Sequence, residues 1–574
     1  MAGATIVVER DVAVPMRDGT ILRADVYRPA EGGPQPVLLS RLPYDKSLPV
    51  TVGVMPDPLR ATAAGYVFVI SDTRGRYASE GMFSPFVHEA NDGYDTVEWA
   101  AAQPWSNGAV GMIGASYIGY TQWMAASTEP PHLRAIAPIV ATSDLHDGWV
   151  GEGGATSFWF DVSWLLAALG PDILAKRAPG DTARADRLID AIDHLADHLP
   201  ALAGSIDPAM DDAFVGDIYR TWLAHPDRDA FWRLLSPREA HPRIRVPAFN
   251  VAGWYDVFVG GSFENYTGMR ANGATEAARD GQRLVVGPWR HAAPMLADPT
   301  GEVVFGLGST GAGIDLAGLQ LRFFDRWLKG IEPDAADDPP VRLFVMGEDR
   351  WRDEAEWPLA RAIPTDYHFR ADGGLTADAP SADEASATFT ADPNDPVPTL
   401  GGNLCCWQLV HPPGAFDQRE IEARDDVLVY STAPLPEDVE VTGPLVAHVF
   451  VASTAPDFDV TAKLVDVASD GFARNVAEGI RRARYRHGTA RAIPLPAGEV
   501  AEIVVDLVAT ANLFRAGHRI RVEIAASNWP RFDRNPQTGG VVAEATELRP
   551  ASQTIFHDAT RPSRIVLPIV ARSQ

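Results

Sequence analysis

Cysteine is nearly absent: the 574 residues hold two, Cys405 and Cys406, side by side. Adjacent cysteines seldom bridge, because the ring they would close is strained. Two thiols make neither a disulfide framework nor a zinc cluster. A reducing compartment is therefore expected, with a cytoplasmic location. Positive charge is also short, with 50 Lys and Arg against 76 Asp and Glu, a formal net charge of −26. Such a surface repels nucleic acid and anionic membranes, so neither is expected as a partner. Residues 1–10 contain no basic stretch followed by an apolar one, so no secretory signal is read. The longest apolar runs fall short of a membrane span. Neither a fixed-period repeat nor a long low-complexity tract is present.

What is there is ordinary for a folded chain, with 46% hydrophobic and 22% charged residues. Its length exceeds what one core serves, so two to four domains are expected. Apolar, β-branched stretches at 37–39, 66–70, 110–113 and 135–140 alternate with helix-like ones such as 93–102. That alternation predicts a mostly parallel sheet. From about residue 143 strand runs give way to helix-period positions such as Leu165, Leu166 and Leu169, a helical insertion ending near His241. Strands resume at 246–251 and 283–286, and an amphipathic helix over 314–330 ends at Gly330. Beyond about 340, short β-rich segments recur between turns at 427–430, 445–451, 500–508, 518–524 and 563–570. These predict a β-sandwich or jelly roll. Residues 371–396, rich in Ala, Asp, Ser and Pro, are expected to form an exposed connection.

One segment carries chemistry. Gly111-Met112-Ile113-Gly114-Ala115-Ser116-Tyr117-Ile118-Gly119 runs an apolar strand into a small-residue turn and then a helix-like stretch. A nucleophilic serine on a sharp elbow needs that context, because unusual backbone angles there tolerate only small neighbours. The hydroxyl then stands at the carboxyl end of the sheet, where open α/β folds place their ligands. The strict Gly-x-Ser-x-Gly spacing is not met, since the second glycine stands three residues after the serine. In this class of elbow the order along the chain is serine, acid, histidine. Among 14 histidines, His291 alone follows a late strand and a Gly287-Pro288 break, and it is selected by elimination. Asp256, after Gly253-Trp254-Tyr255, is the acid, with Asp280 and Glu276 as competitors in a polar helix-like stretch. The N–H of Tyr117 is one candidate donor to a developing oxyanion. Tyr44, after an early strand, is a second candidate through its hydroxyl, although a packed aromatic is the plainer reading of that residue alone.

Taken in order, several motifs resemble those of cocaine-esterase-type hydrolases in the X-Pro dipeptidyl-peptidase (CocE/NonD) family, which also holds α-amino acid ester hydrolases and glutaryl acylases. The matching stretches are Val14-Pro15-Met16-Arg17-Asp18-Gly19, Pro43-Tyr44-Asp45-Lys46, Asp72-Thr73-Arg74-Gly75, Gly114-Ala115-Ser116-Tyr117, Gly253-Trp254-Tyr255-Asp256, Gly287-Pro288-Trp289-Arg290-His291, Thr461-Ala462-Lys463-Leu464 and Ser527-Asn528-Trp529-Pro530-Arg531. The resemblance implies an α/β-hydrolase domain (1–145 and 242–350), an inserted helical cap (146–241) and a C-terminal all-β jelly roll (351–574). It implies a Ser116–His291–Asp256 triad, an oxyanion hole of Tyr44 hydroxyl and Tyr117 N–H, and a family elbow that accommodates the odd glycine spacing. Substrate-binding positions implied by it are Trp149, Trp164 and Phe258. Cys405 and Cys406 stand where such esterases carry larger apolar residues, which predicts a pocket of altered size. Read from the sequence alone, the two cysteines are ordinary small buried residues.

The expected reaction is ester hydrolysis through an acyl-enzyme, needing no metal or organic cofactor. The partner is a small-molecule ester or amide, and a homodimer is left open as an assembly. Amide cleavage, by an acylase or an X-Pro-type aminopeptidase, is the alternative, with Glu152 and Asp161 as acids near the pocket that an amine would need. A hydrolase fold used only for binding is the third reading.

Overall fold

A computed structural model describes residues 5–48, 56–193, 215–291, 299–332, 334 and 338–571, the side chains of 192 and 193 excepted. The stretch 194–214 of the expected cap and the first four residues lie outside this set. Ten strands form the main sheet: β1 (Ile6–Pro15), β2 (Ile21–Pro29), β3 (Gln35–Leu42), β4 (Val67–Asp72), β5 (Ser106–Ala115), β6 (Leu133–Ile139), β7 (Phe249–Tyr255), β8 (Arg283–Arg290), β9 (Val341–Val345) and β10 (Arg350–Glu354). Their spatial order is β1-β2-β4-β3-β5-β6-β7-β8-β9-β10. From β4 to β9 neighbouring strands are parallel, while β1, β2 and β10 add antiparallel edges. The central strands β4 and β7 are buried along their whole length, which is why they read as unbroken apolar runs rather than alternating ones. β7 starts at Phe249 rather than at 246, because Pro247 has no N–H to give a ladder.

Helices cover both faces. Glu89–Ala101 and Tyr117–Ala126 pack together on one side, and Leu316–Lys329 lies against β5 and β6 on the other. The last helix ends as its sequence predicts, on Gly330 at φ 70°. Between β6 and β7 the chain leaves the sheet to form the helical insertion. There Phe158–Arg177 runs as 20 helical residues, long and apolar enough by length and composition to cross a membrane. Its uninterrupted apolar runs are short, as expected, and it reaches that length only on mean hydropathy. Most of the stretch is buried inside the fold, where its apolar side chains form the core of the cap. Its middle, Trp164–Leu169, is a π-helical turn, a local widening common at functional sites.

Beyond β10 the structure is mostly β, with a short helix at Arg419–Glu422. A four-stranded antiparallel sheet (Leu428–Ser431, Asp459–Val467, Ala473–Arg482, Arg519–Ala525) faces a larger antiparallel one built around Val439–Ser453, Ala501–Phe514 and Arg564–Val570. Side chains from both share one core, including Val449, Val460, Leu464, Ile503, Val522 and Ile565. Within 371–396 the strand Ala387–Ala391 pairs with Ala551–Ile555, so that stretch is part sheet and not wholly a connection. Its Ala-Thr-Phe-Thr-Ala run supplies the β-branched and aromatic residues a strand prefers.

The sandwich also grips the cap. Buried Arg482 is bidentate to Asp459 at 2.8 and 2.9 Å and reaches Asp533 at 2.9 Å. Asp533 Oδ1 in turn accepts the N–H of Thr156 in the cap at 2.8 Å. A charge removed from such a cluster leaves its partners uncompensated away from water. The Arg482→Ala variant is expected to lose about 3–5 kcal/mol of stability, read as a lowered denaturant midpoint, with a smaller loss for the volume-matched Arg482→Met.

Candidate active site

Ser116 occupies the single residue between β5 and the Tyr117–Ala126 helix, with φ 62° and ψ −127°. A non-glycine residue is forced into this left-handed region only when the structure around it over-determines the turn. Its N–H donates to the carbonyl of Ile139 on the neighbouring strand at 2.8 Å, which pins the elbow. The displaced glycine has a packing explanation. A Cβ on Gly119 would lie 2.7 Å from that of Ala141 and 3.2 Å from the Ile139 carbonyl, so the helix can approach β6 only with glycine there.

His291 follows the end of β8, and Asp256 follows the end of the adjacent parallel strand β7. The ring of His291 bridges the other two side chains. Its Nε2 stands 2.9 Å from Ser116 Oγ and its Nδ1 2.7 Å from Asp256 Oδ2. Asp256 is fully buried. Its Oδ1 accepts the N–H of Phe258 at 2.6 Å, and its backbone carbonyl accepts Asn403 Nδ2 at 2.8 Å. The Phe258 ring lies edge-on to the imidazole, 5.2 Å away. The competitors Asp280 and Glu276 sit exposed beside the start of β8, at the opposite end of the strand from His291.

Tyr44 lies just past β3, and Trp164 Nε1 donates to its oxygen at 2.9 Å. That bond leaves the phenol proton free to be donated elsewhere. Burial pushes the phenol well above its ordinary pKa, so it stays protonated. Tyr117 begins the helix, and its N–H has no intrahelical acceptor. Its side chain points into the fold, donating to Glu89 Oε1 at 2.9 Å and accepting the Phe86 N–H at 2.8 Å. Glu89 pairs with buried Arg41 at 3.0 Å. Burial raises the carboxyl of Glu89, and Arg41 opposes that shift.

Trp149, Trp164, Phe258 and Cys405 are buried in one aromatic cluster with Tyr117, and Cys406 packs partly exposed against it. Trp149 stacks on Phe258 at 4.6 Å and meets Trp164 edge-on at 5.1 Å. The ten residues read as triad, oxyanion donors and substrate positions thus lie at the Ser116 elbow or in the aromatic cluster beside it. The sequence reading did not pick out Phe86, Phe160 and Trp222, whose rings complete the cluster. It also passed over Asn403 and the Arg41–Glu89 pair. The Phe160 and Trp164 spacing of one helical turn was a usable signal, whereas nothing local marks Asn403.

Two acids weighed as amine receptors have other surroundings. Glu152 is held by Arg531 at 2.9 Å. Asp161 is fully buried with neither oxygen hydrogen-bonded among the described residues, and burial drives its pKa far up. Among the described residues there is no group of His, Cys, Asp and Glu that could hold a metal ion.

Known proteins place this geometry. Residues 18–293 match the X-Pro dipeptidyl-peptidase (S15) family model, and 333–566 match that of the X-Pro dipeptidyl-peptidase C-terminal non-catalytic domain. Cocaine esterase of Rhodococcus sp. is 40% identical over 98% of this chain and 99% of its own. An aminopeptidase from a marine sediment archaeon (27% identity) and an α-amino acid ester hydrolase (25% identity) each superpose with a TM-score of 0.82, covering 99% of this chain and 97% of theirs. With such identity sustained from end to end, the chain belongs to the X-Pro dipeptidyl-peptidase (S15) family and is a serine hydrolase of its cocaine-esterase-like kind.

Proposed function

We propose that Ser116, His291 and Asp256 are the catalytic triad of this ester hydrolase, with Tyr44 and the Tyr117 N–H as its oxyanion hole. The observation that carries this reading is the single imidazole in hydrogen-bond reach of both an elbow serine and a buried carboxylate. His291 takes the Ser116 proton as Oγ attacks the ester carbonyl, and Asp256 stabilises the resulting imidazolium. The oxyanion accepts hydrogen bonds from the Tyr44 phenol and the Tyr117 N–H at the helix N-terminus, where the dipole favours negative charge. His291 returns its proton to the leaving alcohol. Water, activated by the same imidazole, then hydrolyses the acyl-enzyme.

The acyl group is assigned to the side of the elbow faced by the cluster of Trp149, Trp164, Phe258, Cys405 and Cys406. Aromatic walls favour an apolar, ring-bearing or branched acyl group. Esters are preferred over α-amino substrates, because neither Glu152 nor Asp161 is poised as a counter-ion. The former is engaged by Arg531, and burial disfavours the charged form of the latter. A small-molecule ester is therefore the assigned partner, and the cysteine pair is expected to leave more room than larger apolar residues would.

Three measurements test this. Ser116→Ala is expected to abolish both turnover and labelling by a fluorophosphonate, while Asp256→Asn keeps the fold and lowers kcat by about 10⁴-fold. Tyr44→Phe is expected to lower kcat by about 10²–10³-fold with little change in KM, since its donor acts on charge formed only in the transition state. On a panel of p-nitrophenyl esters, glutaryl amides and X-Pro anilides, kcat/KM is expected to be highest for the esters. Faster X-Pro cleavage would reverse the assignment.

A further inference from the structure

Cys405 and Cys406 are the only cysteines in the chain, and both are free thiols. Their Sγ atoms stand 2.8 Å apart, closer than unbonded sulfurs usually pack. The backbone reaches this arrangement through two successive non-glycine residues in the left-handed region, Cys406 at φ 62° and Trp407 at φ 46°. The loop is tied down on either side of the pair. Upstream, Asn403 donates from its backbone to Glu478 at 3.1 Å and from its side chain to the Asp256 carbonyl at 2.8 Å. Downstream, the Gln408 side-chain carbonyl accepts from Arg290, the residue before His291. Between them, the Cys406 carbonyl accepts Trp159 Nε1 at 3.2 Å. The dithiol thus sits midway along a six-residue strap whose ends hold the neighbours of the imidazole and the carboxylate.

We propose that Cys405 and Cys406 are a reversible oxidation site that takes a hydroperoxide, closes a vicinal disulfide against the aromatic cluster and slows hydrolysis. Cys406, the more exposed, reacts first. Its sulfur attacks the terminal peroxide oxygen, the O–O bond breaks, and the alcohol leaves with a proton, giving a sulfenic acid. The Cys405 sulfur then attacks the Cys406 sulfur. The S–S bond forms as the S–O bond breaks, and water departs with the Cys405 proton. The peroxide is reduced by two electrons and the thiol pair is oxidised by two.

Ring strain makes this a switch rather than a staple. Adjacent Cα atoms lie about 3.8 Å apart, short of the roughly 4.4–6.8 Å that disulfides span. Strained disulfides are more oxidising and return readily to dithiols. The unbridged pair is accordingly the resting form, and closure turns the Cys406 carbonyl and Gln408 against their tethers. The effect on rate rests on the triad assigned above, whereas the ring closure does not.

The test uses the full chain with tert-butyl hydroperoxide. Thiols titrated after unfolding are expected to fall from two per chain to none. The intact mass should drop by two hydrogens with no intermolecular dimer. Turnover of a p-nitrophenyl ester should fall about ten-fold or more, the scale of a small misplacement of catalytic groups. Dithiothreitol should restore both thiols and rate. The Cys405→Ala/Cys406→Ala variant, whatever its starting rate, should show no peroxide-dependent loss. Thiols that survive the treatment, bridges between chains, a closed ring with unchanged rate, or an equal loss in the double variant would each overturn the proposal. A protein inactive before treatment would fault the hydrolase site instead, while the thiol count still decides whether the ring forms.

Discussion

The contact between Asp256 and His291 is the constraint around which the molecule is arranged. It needs a carboxylate held in a dry interior, and such a charge is tolerated only when its lone pairs are occupied. Here the imidazole takes one oxygen, the Phe258 N–H takes the other, and Asn403 fixes the backbone beside them. Two neighbouring parallel strands, β7 and β8, deliver the two residues to the same edge of the sheet. β5 delivers Ser116 to that edge as well, on a turn that its own hydrogen bond to β6 holds in place. The buried aromatic cluster then keeps water from competing for these bonds.

Much of this was legible in the residues. The parallel sheet announced itself because its strands are buried on both faces and so appear as apolar runs. The elbow was legible because a strand, small residues and a helix occur in sequence, even with its glycine displaced. Tyr44 was legible only as a candidate, since a tyrosine after a strand is usually packing, and the likeness to a family is what favoured it. The strands Asp459–Val467 and Ala473–Arg482 escaped notice for a physical reason. Both are buried, yet Asp459, Lys463, Asp466, Arg474, Glu478 and Arg482 interrupt their apolar pattern. Those charges are tolerated because they pair with neighbouring strands of the same sheet, Arg474 with Asp466, Arg482 with Asp459 and Lys463 with Glu523, an arrangement that no local window reveals. For the same reason Asn403, brought from nearly 150 positions away in the chain, left no trace beside the acid it supports.

The long apolar helix of the cap shows how composition can mislead in the other direction. Phe158–Arg177 has the length and hydropathy of a membrane segment, but its apolar surface is used inward. It contributes Phe160 and Trp164 to the buried aromatic cluster, where both rings meet Trp149.

Asn403 belongs by sequence to the half of the chain matched by a model described as non-catalytic, yet its amide holds the carbonyl of the acid. The two halves consequently cannot be exchanged between relatives as independent modules. A chimera whose crossover fell between them would bring in a foreign strap beneath Asp256 and would have to restore the amide contact to its carbonyl.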